Sequence, residues 1–171
     1  MDTVVSSFES GVLEHDADVV KTTADELGPT LEEVVEEPAV GVPIDDVVDL
    51  DLESLSVDID LDPTREDVDA AATGVTTARY GIAEYGSIVI DGNDTGNEPV
   101  SLYPNEHVAV VAESAILPDM RTAVNEIGED QQDLPRNMII ATGPSATADM
   151  GELVLGAHGP RAVTVVVVTD R

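Results

Sequence analysis

The amino-acid sequence predicts an α/β domain with an open, largely parallel sheet that is flanked by helices. Continuous apolar runs such as residues 165–168 are typical of strands that are covered on both faces. Predicted strands alternate with predicted helices, which favours a parallel sheet. The chain has 171 residues, of which 42% are hydrophobic. It is therefore long enough for one domain with a substantial core, and we predict a single domain over residues 1–171.

The first part of the chain is predicted to contain three helices and three strands. The helices are predicted at residues 2–14, 30–37 and 64–72, and the strands at residues 18–22, 39–42 and 56–60. In the first helix, Val5, Phe8 and Val12 fall on one apolar stripe. In the second, Thr30 stands at the N-cap and Glu33 at the capping-box position. Thr64 and Asp67 are predicted to open the third helix.

The second part of the chain is richer in strands. Strands are predicted at residues 87–91, 106–112, 137–142 and 162–169. A helix is predicted at residues 119–129, and a helical turn or short helix at residues 147–155. The strand at residues 137–142 is expected to be buried and to run directly into a Gly-Pro turn.

The charge of the chain is strongly negative. There are 36 acidic residues against seven basic ones, which gives a net charge of -29. Such a chain repels phosphate backbones and anionic membrane surfaces, so nucleic-acid binding is not expected. Acidic residues extend from Asp2 to Asp170, and Lys21 is the one lysine. This spread favours a surface adapted to molar salt, where charge repulsion is screened, over a local acidic tail or cation site.

The absence of cysteine excludes several kinds of chemistry. Disulfides, thiolate catalysis and cysteine-bound zinc or iron–sulfur clusters all need cysteine. We therefore predict no cofactor in this chain. The first residues show neither a basic nor an apolar signal-peptide region, and the apolar run at residues 162–168 is too short to span a bilayer. These features predict a cytoplasmic protein without membrane insertion.

The segment at residues 143–149, GPSATAD, is the first candidate ligand site. A strand that runs into a Gly-Pro turn and a helix N-terminus would leave backbone N–H groups free for an anion. We predict that Gly143, Ser145, Thr147 and Asp149 bind a ligand there, with Asp149 bracing the loop. The alternative is a capped turn with no ligand. The segment lacks the glycine and lysine spacing of phosphate-binding and dinucleotide-binding loops.

Two further segments supply candidate catalytic residues. In the segment GAHGP at residues 156–160, His158 lies between small residues before a buried strand, and Gly159 beside it is predicted to bind the ligand. It is predicted to bind an anion or to shuttle a proton, the alternative being a turn histidine. In TARYGIAEYGSIVI at residues 77–90, Glu84 is predicted to act as a base at a cleft, the alternative being an exposed turn residue.

We expect these groups to converge on one cleft at the carboxyl ends of the strands, where open α/β sheets bind ligands. The ligand would carry a carboxylate or phosphate. No metal site is predicted, because His15, His107 and His158 are widely separated and show no metal-ligand spacing. His107 opens a strand, where we expect it to make a local hydrogen bond.

Three segments resemble a known family. TTARYGIAEYGSIVI, SLYPNEHVAVVAESAILPDM and the GPSATAD and GAHGP pair with its flanking strands occur in the order found in LUD-domain proteins of the LutC/YkgG type. The match is good over residues 70–171. Together with the acidity, the resemblance predicts a halophilic archaeal member of this lactate-utilization family.

The resemblance implies a fold similar to that of the sugar-phosphate isomerase and CoA-transferase group. It also implies a role in the oxidation of L-lactate to pyruvate, as a cluster-free subunit beside partners that carry iron–sulfur clusters. The alternative is a stand-alone binding protein or enzyme that takes an anionic metabolite, a sugar phosphate or an acyl-CoA-like molecule in the cleft of the fold.

Overall fold

The computed structural model describes residues 2–92, 96–129, 137–148 and 154–171, and within them six strands form a central parallel sheet. In spatial order these strands are β1 (Asp18–Thr22), β12 (Ala162–Val168), β7 (Glu106–Ala112), β4 (Thr73–Thr77), β2 (Ala39–Gly41) and β3 (Ile59–Asp60). Every neighbouring pair is parallel. The predicted α/β class with a largely parallel sheet is confirmed.

Alternate residues of the central strands enter two cores on opposite faces of this sheet. Ala109 of β7 lies in the core that contains Phe8. Its neighbour Val108 lies in the core that contains Leu31. Because both faces are covered, strands such as β7 and β12 contain continuous apolar runs, at residues 108–112 and 165–168.

Five helices in the described ranges cover the sheets or lead into them. They are α1 (Asp2–Glu14), α2 (Leu27–Val34), α3 (Arg65–Ala70), α4 (Asn97–Leu102) and α5 (Met120–Glu129). Phe8 of α1 and Leu31 of α2 are fully buried, so these two helices cover opposite faces of the parallel sheet. Lys21 of β1 forms an ion pair of 2.7 Å with Glu9 of α1.

A second sheet of four strands lies beside the first. Its spatial order is β8 (Ile116–Leu117), β5 (Tyr80–Ile82), β6 (Ser87–Gly92) and β9 (Asn137–Ala141). β5 pairs antiparallel with β6, and β6 pairs antiparallel with β9. The expectation that residues 137–142 form a buried strand was wrong, because every residue of β9 is exposed or half-buried. This strand lies at the edge of the second sheet, outside the parallel one.

The first residue of α3 follows its local capping signal, whereas the first residue of α2 does not. Thr64 and Asp67 form the expected capping box, in which Thr64 N–H donates to Asp67 Oδ2 at 2.9 Å. The capping box predicted at Thr30 was wrong, because α2 already begins at Leu27 and the Thr30 hydroxyl donates to the Glu26 carbonyl at 2.8 Å. Burial of Leu27 explains the earlier start.

Candidate functional site

The two predicted loops, residues 143–148 and 156–160, lie against each other; we call them the loop pair. Ser145 N–H donates to the Pro160 carbonyl, and Gly156 N–H donates to the Ser145 carbonyl, both at 2.9 Å. The contact is close, since a Cβ atom on Gly159 would lie 3.0 Å from Ser145 Cβ. The structure thus brings Ser145 and Gly159 together.

Two short strands lie in and beside the loop pair. β10 (Ala146–Thr147) pairs antiparallel with β11 (Val154–Leu155). Thr147 and Leu155 are extended, but residues 149–153 lie outside the described residues, so the helical turn or short helix expected within residues 147–155 stays a prediction. Asp149 lies outside the described residues, so its predicted bracing role stays a prediction.

The loop pair lies at the amino ends of the parallel strands. Pro160 comes just before β12, and Arg161 N–H donates to the carbonyl of Asn105, the residue before β7, at 2.7 Å. We expected this cleft at the carboxyl ends, and that expectation was wrong. The error arose because β9, which leads into the loop, was assigned to the parallel sheet.

Hydrogen bonds within the loop pair occupy part of its predicted anion site. The N–H groups of Ser145 and Gly156 donate to protein carbonyls, which leaves neither for a ligand. Gly143 has a φ of 64° and packs so closely on the end of α1 that a Cβ atom there would lie 2.2 Å from the His15 carbonyl oxygen. The loop conformation is thus fixed by the protein itself.

The accessible part of the loop pair is the segment around His158. Its imidazole is exposed, and residues 156–159 line a depression of about 360 Å³ together with Leu102 and Tyr103. Tyr103 is also exposed. A donor or acceptor on His158 is therefore open to solvent at this surface, and its role in binding or proton transfer stays a prediction.

Glu84, in the turn between β5 and β6, lies next to the N-terminus of α5. Its N–H donates to the Pro118 carbonyl at 3.1 Å, and its carboxylate accepts a hydrogen bond from Met120 N–H at 3.3 Å. A carboxylate at a helix N-terminus is favourable because the free N–H groups there carry partial positive charge. Its hydrogen bonds in the described part of the chain lead to α5, and none joins it to the loop pair.

A second cavity, which the sequence analysis missed, lies at the carboxyl ends of β4 and β7. Its volume is about 220 Å³; we call it the carboxyl-edge cavity. The lining residues come from five segments of the chain: Asp46, Val47, Thr77, Ala78, Arg79, Asp91, Asn97, Ala112 and Ala115. Arg79 lies in the segment at residues 77–90, in which Glu84 was the predicted catalytic residue. An arginine among apolar residues, in a chain with only seven basic residues, is the signal that could have found it.

The polar groups of the carboxyl-edge cavity are partly paired. Arg79 Nη1 lies 2.7 Å from Asp91 Oδ2, and the guanidinium carbon lies 5.9 Å from the centre of the Tyr80 ring. Two buried acceptors, Asp91 Oδ1 and Asn97 Oδ1, have no hydrogen-bond partner among the described residues. Buried polar atoms in native structures are nearly always paired, so these two atoms call for an explanation.

Comparison with known proteins assigns the family. The sequence pattern of the LUD domain matches residues 10–168. The chain belongs to the LUD domain family. This confirms the resemblance drawn from the sequence, whereas the halophilic archaeal origin stays a prediction.

Relatives of this LUD domain protein carry a common name. It is 31% identical to lactate utilization protein C of Macrococcus caseolyticus, over 90% of this chain and 73% of that protein. It is 33% identical to lactate utilization protein C of Geobacillus sp. (strain WCH70), over 89% of this chain and 72% of that protein. The crystal structure of a DUF162 family protein from Deinococcus radiodurans superposes with a TM-score of 0.74, at 24% identity, over 98% of this chain and 97% of that one. The latter comparison supports the fold.

His107 is the buried histidine of this LUD domain. Only 2% of its surface is exposed, and its Nε2 lies 2.8 Å from the Thr76 hydroxyl on the neighbouring strand. Burial lowers the pKa of His107 to about 4, because the charged imidazolium would lose its hydration. The expected hydrogen bond is present, and its partner is a neighbour in the sheet that lies 31 residues away in the sequence.

The described ranges lack two features, a metal-binding cluster and a membrane-spanning helix. Among these residues, no three or more His, Asp or Glu side chains are grouped in a way that could hold a metal ion. No helix there has the length and apolar character needed to cross a bilayer.

Proposed function

We propose that this LUD domain protein serves in lactate utilization, in the cytoplasm. The observation that carries the proposal is its similarity to proteins named lactate utilization protein C, which extends over 89–90% of the chain. Since the similarity includes the parallel sheet and the loop pair, it concerns the whole domain rather than a short motif.

Within that role, we propose a cluster-free subunit that assists the oxidation of L-lactate to pyruvate. The oxidation removes two electrons and two protons, so a group that accepts electrons must be present. This chain has no cysteine and cannot hold a cysteine-bound iron–sulfur cluster. The clusters would therefore be carried by partner proteins, and this chain would bind a small molecule or position those partners.

A stand-alone small-molecule binder is the second candidate, and the carboxyl-edge cavity favours it. Two unpaired buried acceptors next to a guanidinium resemble a binding site more than a purely structural contact. For the loop pair, an anionic ligand stays a prediction that depends on the exposed His158 rather than on the N–H groups of Ser145 and Gly156.

Deletion of the gene in its native host tests the proposed function. We expect the deletion strain to lose growth on L-lactate while it still grows on pyruvate, the product of the oxidation. The same gene supplied on a plasmid should restore growth on lactate. Growth of the deletion strain on L-lactate at the parental rate would overturn the proposal.

Capture of the tagged chain from native lysate at molar salt tests the partner hypothesis. We expect co-purified proteins that contain iron, measured by metal analysis of the eluate and identified by mass spectrometry. A tagged variant with the same charge but a disrupted fold, Gly86→Leu, controls for retention by charge alone. An eluate without iron-containing proteins contradicts the subunit role.

A further inference from the structure

The carboxyl-edge cavity lies where parallel sheets of this kind bind ligands. Asp46 follows β2, Arg79 follows β4, and Ala112 ends β7, so three neighbouring strands send their carboxyl ends to this one place. In open α/β sheets the crevice beyond the carboxyl ends of the strands is the usual binding position. The position is therefore suited to a ligand. It lies at the carboxyl ends of the parallel strands, whereas the loop pair lies at their amino ends.

Asn97 supplies the strongest sign of a missing ligand. Only 4% of its surface is exposed, it lines the cavity, and its Oδ1 accepts no hydrogen bond from the described residues. Asp91 also lines the cavity, and its Oδ1 is likewise without a partner in that part of the chain. A buried acceptor without a donor has lost its hydrogen bonds to water and has no protein hydrogen bond to replace them, which destabilises the folded state. A ligand that carries hydrogen-bond donors would satisfy both atoms.

The charges around the cavity select against an anion. Among the described residues, two carboxylates, Asp46 and Asp91, line it together with one guanidinium, Arg79. Arg79 Nη1 is already bound to Asp91 Oδ2 at 2.7 Å. An anionic ligand would have to compete with Asp91 for Arg79 while it lies close to both carboxylates. An uncharged or positively charged ligand meets no such repulsion.

The size of the cavity restricts the ligand further. At about 220 Å³ it is smaller than the roughly 300–1,000 Å³ of sites for drug-sized molecules. It has room for a compound of a few carbon atoms.

We infer that the carboxyl-edge cavity binds a small non-anionic metabolite whose hydroxyl or ammonium groups donate hydrogen bonds to Asn97 Oδ1 and Asp91 Oδ1. This ligand is distinct from the lactate anion, so the inference goes beyond the proposed function. A binding assay tests this inference, whereas growth of the deletion strain on L-lactate tests the proposed function. Either one can fail without the other.

Three probes with the same carbon skeleton test the inference: 1,2-propanediol, which is neutral; 1-amino-2-propanol, which is cationic; and L-lactate, which is anionic. Each is titrated into the full chain at molar KCl and followed by the backbone amide resonances. We expect the diol or the amino alcohol to shift Thr77, Ala78 and Asn97, and to bind at least about tenfold more tightly than lactate. The probe of these two that binds more tightly shows whether the donor group of the natural ligand is a hydroxyl or an ammonium group. No shift at these residues, or tighter binding of lactate, overturns the inference.

Variants of Asn97 test the acceptor directly. Asn97→Leu should weaken the better probe by about tenfold, the effect of one lost hydrogen bond, without lowering the melting temperature. Asn97→Asp keeps an oxygen acceptor and should retain binding. Asn125→Leu, the same substitution at an exposed position of α5, is the matched control. Unchanged binding in Asn97→Leu overturns the inference. If that variant does not fold, the resonance shifts of the wild-type chain still decide.

Discussion

Gly11 of α1 and Gly86, in the turn between β5 and β6, pack backbone against backbone. A Cβ atom on Gly86 would lie 2.2 Å from the Gly11 carbonyl carbon, and one on Gly11 would lie 2.7 Å from Gly86 N. Gly86 also has a φ of 60°, in the left-handed region. The contact joins α1, which covers the parallel sheet, to the second sheet, and it leaves no room for a side chain on either residue.

Gly86→Ala is therefore predicted to destabilise the protein. The left-handed backbone costs about 1–2 kcal/mol for a non-glycine residue, and the clash with Gly11 adds about 1–3 kcal/mol. Gly96→Ala is the matched control, since Gly96 has a φ of 92° but a Cβ there would have no atom of the described residues within 4 Å. Denaturant unfolding at molar salt should show a clearly larger loss for Gly86→Ala. Equal losses would mean that the contact with α1 is unimportant.

The second prediction concerns acid and His107. Burial lowers the pKa of His107 to about 4 in the folded chain, against 6.5 as its ordinary value. The unfolded chain therefore takes up the proton first as the pH falls, so the contribution of neutral His107 is complete above pH 6.5 and decreases toward pH 4. The loss is on the order of 3 kcal/mol.

Free energies of unfolding across this pH range, at molar salt, test that effect. In His107→Gln the decrease between neutral pH and pH 4 should be smaller than in the wild-type chain. The difference between the two proteins removes the contribution of the many carboxylates. His158→Gln, at an exposed position, should keep the wild-type slope. The same slope in His107→Gln would show that protonation of His107 does not destabilise the fold.

Most strands of the central sheet and two strands of the second sheet, β6 and β9, could be predicted from the sequence. β7 contains the apolar run at residues 108–112 and β12 the run at residues 165–168, and both strands were placed correctly. β5 and β8 have three and two residues, too few for a clear apolar pattern, and β8 pairs with β5 across the segment that contains β6 and β7. β4 was missed because its sequence, TGVTT, is polar although every residue is buried. The Thr76 hydroxyl is satisfied by His107, a partner 31 residues away.

The same distinction applies to the candidate sites. The loop pair could be predicted from two motifs close in the sequence, and the hydrogen bond from Ser145 to Pro160 joins them. The carboxyl-edge cavity combines Asp46, Arg79 and Asn97, which meet only because β2 and β4 are neighbours in the sheet. Strand order depends on long-range packing, which spacing along the chain does not encode.

The third prediction concerns salt. With a net charge of -29, the chain repels itself in dilute buffer, whereas at 1 M salt the Debye length falls to about 3 Å and the repulsion is screened. We expect the purified protein to be folded at molar KCl and to lose structure at low salt. Circular dichroism and thermal melting across a salt series measure this. An unchanged melting temperature down to about 50 mM, where the Debye length exceeds 10 Å, would contradict it.

The fourth prediction concerns the isolated chain. Since it lacks cysteine and shows neither a flavin nor a nicotinamide sequence fingerprint, the purified protein should be colourless, contain no iron and not oxidise lactate. Visible absorption, metal analysis and a dye-linked assay with L-lactate measure these properties. The control is the assay with the proteins that co-purify from native lysate. Turnover by the isolated chain would rule out a role that depends on partner subunits.

The last prediction separates a functional from a structural role for His158. Its side chain is exposed at the depression that Tyr103 also lines, so removal of the imidazole should leave the packing intact. His158→Ala is therefore expected to keep the melting temperature of the wild-type chain. If His158 binds a ligand or moves a proton, the variant should fail to restore growth of the deletion strain on L-lactate. Asn125→Ala, at an exposed position of α5, should restore growth fully. A lowered melting temperature together with restored growth would mean that His158 only stabilises its turn.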